Sequence, residues 1–345
     1  MVEYRPSESC CGTSPLFLLP SEDNGRILVA GAGGFIAGHL VKRLEAEGRE
    51  VYGVDIKPFG EWWQPGKANW EADLSLADEC DDAVEGCSTV VNLACDMGGM
   101  GFIALNKAAC MLNILINTHL LMAAKREGVG RYFFASSACV YRQDRQDGSV
   151  LNYALREKDA YPADPEDGYG WEKLTSERMC RHFREDYGLE TRVARFHTVY
   201  GPHETWQGGR EKVPAAFCRK VAVAKLTGGR EVEVWGDGTQ RRSFLYVDDL
   251  VDGVLRLIDS DRAEPTNIGA TGSVTIEELL ALVESIAGVP TLKRVYDPTK
   301  PLGVRERDCD GTAMAEATGW QPTISLEAGM ERTYAWVEDQ VRAAI

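Results

Sequence analysis

The chain has 345 residues, of which 44% are hydrophobic and 26% charged, with a net charge of −15. That length suffices for one large domain or two with a substantial core, and the composition is ordinary for a globular protein. The acidic balance argues against nonspecific nucleic-acid binding, which needs a basic surface, but does not exclude an anionic small ligand at a locally basic site.

Residues 1–24 read as a poorly ordered tail, and without a basic region followed by an apolar core they are not expected to be a signal peptide. From Arg26, "RILVAGA" is an apolar run ending in glycines, and "FIAGHLVKRLEAEG" (35–48) has helical spacing closed by glycine. "VYGVD" (51–55), "TVVNLA" (89–94), "RYFFASS" (131–137) and "ETRVARF" (190–196) read as further strands. Helix-like stretches precede the last three, among them "MLNILINTHLLMAAKREG" (111–128) and residues 169–187. Strands separated by helices imply βαβ units and a parallel sheet. After about residue 196 the pattern breaks into glycine- and proline-rich connections with shorter elements. The fold class is therefore α/β, a doubly wound parallel (Rossmann) sheet over residues 25–196 with a returning segment near 235–266. A smaller C-terminal substrate-binding lobe takes most of 197–345. No stretch is expected to approach the roughly 18–20 apolar residues of a membrane span.

The ten cysteines are scattered, with no CxxC pair and no metal-ligand spacing. In a chain this long they are expected to be free thiols in a reducing compartment, hence a cytoplasmic protein without a metal site. Cys10 and Cys11 read as tail thiols, Trp62, Trp63 and Trp70 as loop packing, and His197 as structural.

"GAGGFIAG" (31–38) follows the first strand directly. Gly31 and Gly34 permit a tight turn and close approach of backbone to a pyrophosphate, and the helix opening at Phe35 and Ile36 offers its amides to that anion. The spacing is GxxGxxA, with Ala37 third, although Gly33 also makes a GxG, so spacing alone leaves the type open. The order strand, glycines, helix is that of a dinucleotide site. Asp55 ends the second strand, where a carboxylate accepts hydrogen bonds from both ribose hydroxyls and repels a 2′-phosphate. That favours NAD over NADP, with Lys57 nearby acting the other way.

In "YGWEK", Tyr169 and Lys173 lie four apart on a helix and share a face. An adjacent ammonium lowers a phenol from its free value of about 10, toward a usable general base. Such a pair is common by chance; its position after a dinucleotide fold and an "SSA" strand end makes it a catalytic candidate. Cations also gather in the second half near glycines and loops: Arg210, Lys212, Arg219, Lys220, Arg241, Arg242, Arg305 and Arg307.

These features, with "VVNLAC", "ASSACVY" (135–141) and "RFHTVYGP" (195–202), resemble the extended short-chain dehydrogenase/reductase family. More narrowly, "DMGGMGF" (96–102), "SSACVY", "GGREKVPAAFCRK" (208–220) and "WGDGTQRRSF" (235–244) resemble the GDP-mannose 3,5-epimerases, from about residue 25 to the C-terminus. The resemblance implies that NAD⁺ oxidises the sugar at C4, that the ketone acidifies the C–H bonds at C3 and C5, and that the same cofactor then returns the hydride. It makes Tyr169 the acceptor of the C4 hydroxyl proton, with Lys173 tuning it and Ser137 bonding the same oxygen. Gly31, Gly34, Phe35, Ile36, Asp55 and Asp73 fall to the cofactor. Gly98, Gly99, Thr198 and Glu211 fall to the sugar, and Lys220, Gln240, Arg242 and Arg305 to the nucleotide and its diphosphate.

Cys139 then has two readings. Buried and inert is the usual fate of a free cysteine. Alternatively, a thiol of free pKa near 8.5 can abstract a carbon-bound proton when a cation is close, with Lys212 the partner acid on the opposite sugar face. The resemblance favours the second. Thr198 departs from it, standing where the related plant enzymes have an Asn that touches substrate; threonine keeps a donor and an acceptor but is shorter. The implied partner is GDP-mannose, and the implied assembly is a homodimer through 111–125 and the Tyr169 helix. A C4-epimerase or 4,6-dehydratase is the first rival, disfavoured by Cys139 and Lys212. A non-catalytic nucleotide sensor is the second, disfavoured by the intact Tyr169 and Lys173.

Overall fold

The structure, a computed structural model, describes residues 25–345. The readings placed on residues 1–24, including Cys10 and Cys11, lie outside the described residues. Seven parallel strands form the central sheet: β1 (Arg26–Ala30), β2 (Val51–Asp55), β3 (Ala68–Glu71), β4 (Cys87–Asn92), β5 (Arg131–Ser137), β6 (Glu190–Phe196) and β7 (Thr266–Ile268). Their order is β7-β6-β5-β4-β1-β2-β3, a doubly wound arrangement that reverses between β1 and β4. Helices cover both faces, so the interior strands are buried along their length: Leu28, Val29 and Ala30 of β1 are wholly buried, and β6 buries Arg192 and Arg195 beside Val193 and Ala194. The sequence gives no strand signal for β3 or β7. β3 is a four-residue edge strand reading ANWE with no fully buried side chain, and β7 has only three residues.

Helix α1 (Phe35–Ala46) follows β1, α2 (Lys107–Glu127) precedes β5, and α3 (Asp167–Tyr187) precedes β6. The expectation that no stretch approaches a membrane span needs correction: α2 is long and apolar enough to cross a membrane by length and composition. Here it lies along the sheet between α3 and the helix Ala77–Val84, and it buries polar groups that a lipid-facing helix would leave unpaired. Asn117 Oδ1 accepts from Tyr132 Oη at 2.9 Å and from Asn92 Nδ2 at 3.3 Å. Asn113 Oδ1 accepts from the Asp96 N–H at 2.8 Å, tying the 96–99 loop down.

The second half holds longer elements than its glycine density suggests: α4 (Val213–Thr227) and the helices Val247–Asp259, Ile276–Ala287 and Leu326–Ala344. Their start and stop chemistry is local. Pro214 opens α4 and Gly228 ends it in the left-handed conformation, and a Thr275–Glu278 capping box opens Ile276–Ala287. Phe217, Val221, Leu250 and Met330 share one core with Ile27, Val29 and Leu40 of the first half. A small four-stranded sheet pairs Arg241–Arg242 with Glu306–Cys309 in parallel, so that Arg242 and Arg307 are register partners.

Candidate active site

The site lies at the carboxyl ends of the sheet strands. Gly31 has φ +83°, and a Cβ there would stand 2.9 Å from the Ala94 backbone; one on Gly34 would meet the Gly31 carbonyl at 3.0 Å. Only glycine allows this close turn. Phe35 and Ile36 follow, half-buried at the helix start. The Asp55 carboxylate, 8% exposed, accepts from the Gly33 N–H at 3.0 Å and the Lys57 N–H at 2.9 Å. Lys57 Nζ donates to the Gly33 carbonyl at 3.3 Å, so that cation is engaged by the turn itself. Asp73 Oδ1 accepts from the Ser75 N–H at 2.9 Å. A backbone cradle that any Cβ would fill, with a carboxylate at the end of β2, fits a dinucleotide. Trp62 and Trp63 pack this region, whereas Trp70, read as a loop residue, lies in strand β3 and packs against the core of Leu28 and Val54. A Cβ on Gly33 would lie 2.8 Å from Trp62 Nε1 and one on Gly38 2.4 Å from Trp63, whose ring stacks on His203 at 3.9 Å.

A cavity of about 300 Å³ is lined by residues from both halves of the chain. Gly98, Gly99, Ser137, Cys139 and Tyr169 line it from the sheet half, and Thr198, Glu211, Lys212, Lys220, Gln240 and Arg242 from the other. Loop closeness again needs glycine, since a Cβ on Gly99 would fall 2.4 Å from the Glu211 carbonyl. Glu211 accepts from the Gly209 N–H at 2.7 Å and Arg219 at 2.9 Å. Lys220 Nζ donates to Glu233 Oε2 at 2.8 Å, and Gln240 Oε1 is buried with no hydrogen-bond partner. Arg305 is not in the cavity wall; its Nη1 bonds the Asp237 carboxylate at 3.3 Å. Arg307 is there instead, together with Glu166, His197 and Trp235.

Lys173 Nζ lies 5.6 Å from the Tyr169 ring centroid and 3.6 Å from Glu172 Oε2. Burial works to lower this ammonium, but Cys95 and Glu172 beside it leave it held above its ordinary value. The Tyr169 phenol is not lowered as its neighbour led one to expect. Burial pushes it well up, Cys95, Cys139 and Glu172 add to the rise, and the Ser137 hydroxyl opposes it. A desolvated phenolate outweighs one ammonium whose charge Glu172 shares.

Cys139 sits in a single 3₁₀ turn, Ala138–Val140, after β5, where Ser137 Oγ accepts its N–H at 3.2 Å. The Glu166 N–H donates to the Cys139 carbonyl at 3.0 Å, and a Cβ on Gly170 would approach that carbonyl to 2.4 Å. Burial pushes the thiol up, with Arg307 the strongest opposing influence. Lys212, at the N-terminus of α4, is pushed down by burial, against the pull of Glu204 and Cys139. Glu204, 4% exposed and with Oε1 unpartnered, is driven by burial up to about 8. His197 is buried and driven down to about 3, hence neutral, with Nε2 3.3 Å from Asn267 Oδ1. Glu166 and Glu204 carry no signal in the sequence; Arg307 had one, as a member of the second-half cation cluster.

The sequence profile of the NAD dependent epimerase/dehydratase family matches residues 27–269. GDP-mannose 3,5-epimerase 1 of Oryza sativa subsp. japonica is 42% identical over 328 residues, 92% of this chain and 82% of the relative. GDP-mannose 3,5-epimerase of Arabidopsis thaliana is 42% identical over 332 residues, 93% and 84% of the two chains. Among solved structures, a Thermotoga maritima UDP-glucose 4-epimerase with UDP-glucose superposes at TM-score 0.82, with 27% identity over 92% of this chain and 99% of that one. MoeE5 in complex with UDP-glucose and NAD gives 0.77, with 29% identity over 92% and 100%. On the glycine turn, the Tyr169–Lys173 helix and these likenesses, the chain belongs to the NAD dependent epimerase/dehydratase family, among its GDP-mannose 3,5-epimerases.

Proposed function

We propose that the chain epimerises GDP-mannose at C5 and/or C3 through a transient 4-keto sugar, giving GDP-L-galactose and/or GDP-L-gulose. The observation that carries this is that a thiol, Cys139, and an amine, Lys212, line one cavity with the Tyr169 phenol. A C4-epimerase or 4,6-dehydratase is the alternative, and neither chemistry uses this thiol–amine pair.

Gly31, Gly34, Phe35, Ile36, Asp55 and Asp73 hold NAD, and Lys173 orients its nicotinamide ribose. Bound NAD⁺ supplies the site with hydride acceptance at C4 and the later return of that hydride. Tyr169, once its own proton has left against the burial that holds it up, takes the C4 hydroxyl proton, with Ser137 bonding the same oxygen, and gives it back at the end. Between those events the ketone acidifies the neighbouring C–H bonds; Cys139 removes a proton from one face of the carbon and Lys212 delivers one to the other. An ammonium that burial has already weakened releases its proton readily. Lys220, Arg242 and Gln240 hold the nucleotide. The guanidinium suits a diphosphate bidentately, and the unpartnered Gln240 Oε1 calls for a donor such as a ribose hydroxyl. Thr198 faces the sugar from the start of the short strand Thr198–Tyr200, just past β6.

Eight free cysteines among the described residues support a reducing, cytoplasmic setting. The exposed Met111, Leu112 and Leu115 on α2, with Trp171 on α3, support a homodimer through these helices. The deciding experiment is incubation with GDP-mannose in D₂O, followed by NMR of the recovered sugar. Wild type should place deuterium at C5, at C3 or at both. Cys139→Ala should still form enzyme-bound NADH yet lose exchange by about 10²–10⁴-fold, the worth of a positioned base. Exchange at the wild-type rate in Cys139→Ala would make the cysteine a packing residue and overturn the mechanism.

A further inference from the structure

We propose that Arg307, fixed by Glu166 and Gln146, is the positioning residue that makes the Cys139 thiol usable as a base. This rests on the reading of Cys139 as the proton acceptor. Arg307 Nη1 stands 3.5 Å from Cys139 Sγ, while Nη2 donates to Glu166 Oε2 at 2.9 Å and Nε to Gln146 Oε1 at 2.6 Å. All three arms of the guanidinium are thus assigned, and the arm left toward the cavity ends on sulfur. The arrangement is rigid. Glu166 reaches back through its own N–H to the Cys139 carbonyl, Gln146 Nε2 donates to the Tyr141 carbonyl at 3.1 Å, and the Arg307 strand is registered on Arg242. The Arg307 and Glu166 side chains are only 12% and 10% exposed, so little solvent screens the charge.

The charged and titratable groups that bear on the thiol are Arg307 and Glu166, with Ser137 and Tyr169, and the cations Arg242 and Lys212 line the same cavity. Burial opposes the thiolate and so does Glu166; Arg307 is the largest influence in its favour. Arg307 and Glu166 therefore pull the same sulfur in opposite directions. A purely structural ion pair has no such signature: breaking it from either side would loosen the turn in the same sense.

The test uses the full-length protein and iodoacetamide, which reacts with thiolate, with Cys139 alkylation followed by peptide mass spectrometry from pH 6 to 11. Removing an opposite charge at this range moves a pKa by about one unit or more, so Arg307→Gln should cut Cys139 alkylation near neutral pH about tenfold or more and shift its midpoint upward. Glu166→Gln should shift the midpoint downward. The double variant, which leaves no unpaired buried charge and guards against a folding failure, should fall between Arg307→Gln and wild type. Deuterium exchange from GDP-mannose should fall in Arg307→Gln while bound NADH still forms. Midpoints that move in the same direction in both single variants, or not at all, would overturn the proposal. Opposite midpoint shifts in a protein whose wild type exchanges no deuterium would leave Arg307 tuning the thiol and sink the epimerase reading instead.

Discussion

Glu204→Gln replaces a buried carboxyl by an amide of nearly the same shape, and its effect should depend on pH. Burial holds the Glu204 carboxyl up to about 8, against about 4.3 in an unfolded chain. Between those values the native state binds the extra proton, so this group's contribution is present in acid and lost as pH rises through about 8. The loss is on the order of a few kcal/mol and is shared with the Lys212 ammonium that faces the same carboxyl. The variant escapes that loss. Its Tm should match wild type near pH 5 and exceed it by several degrees at pH 8–9, where about 1 kcal/mol corresponds to some 2–4 °C in a chain somewhat smaller than this. Catalysis should move the other way. Glu204 is the foremost charge supporting the Lys212 ammonium, and without it the ammonium is lost at lower pH. The alkaline limb of the exchange rate should shift downward accordingly. Circular-dichroism melts at pH 5–9, paired with D₂O exchange over the same range, measure both. A Tm difference that stays constant with pH would refute the assignment of a raised, buried carboxyl.

Asp55→Asn should weaken NAD binding about tenfold to a hundredfold, the worth of one charged hydrogen bond, and narrow discrimination against NADP; calorimetric titration showing equal affinities would remove Asp55 from the cofactor site. Gly170→Ala drives a Cβ to 2.4 Å from the Cys139 carbonyl, so it should cost about 1–3 kcal/mol and depress C5 deuterium uptake more than ketone formation, a split that unaltered exchange would contradict. Glu177→Ala strands Arg195, whose side chain is 2% exposed and bonds Glu177 at 2.8 and 2.7 Å. Urea unfolding should show a loss of about 3–5 kcal/mol, and the double change of both residues to Met a smaller one; equal losses would mean the unpaired charge is not the cause.

What the sequence made legible follows from how each feature is encoded. β2, β5 and β6 have the bounds read for them because each carries β-branched or aromatic residues between a helix stop and a turn, whereas β3 and β7 are too short and too mixed to stand out. The residues gathered round the cavity were readable where a glycine, a thiol or a basic residue sat in a rare string. Arg305 and Arg307 could not be told apart, because only the register of the small sheet decides which guanidinium meets Cys139. Glu166 and Glu204 were invisible for a simpler reason: a buried acid and a surface acid are the same letter. Protonation states escaped likewise. Proximity of Lys173 to Tyr169 is written in the spacing, but desolvation, which wins at that phenol, is a property of the assembled core.

The seventh strand has an evolutionary consequence. Thr266–Ile268 hydrogen-bonds along β6 but belongs to the second half of the chain. A segment ending near residue 196 would leave the β6 edge bare, with unpaired backbone groups inviting another chain to add itself. The two halves are therefore not interchangeable cassettes. A lineage that exchanged its second half for another would have to import a matching edge strand, together with the Val247–Asp259 helix that contacts β6 and β7. Specificity in such a fold is free to drift by substitution in loops, as at Thr198, far more easily than by recombination of whole lobes.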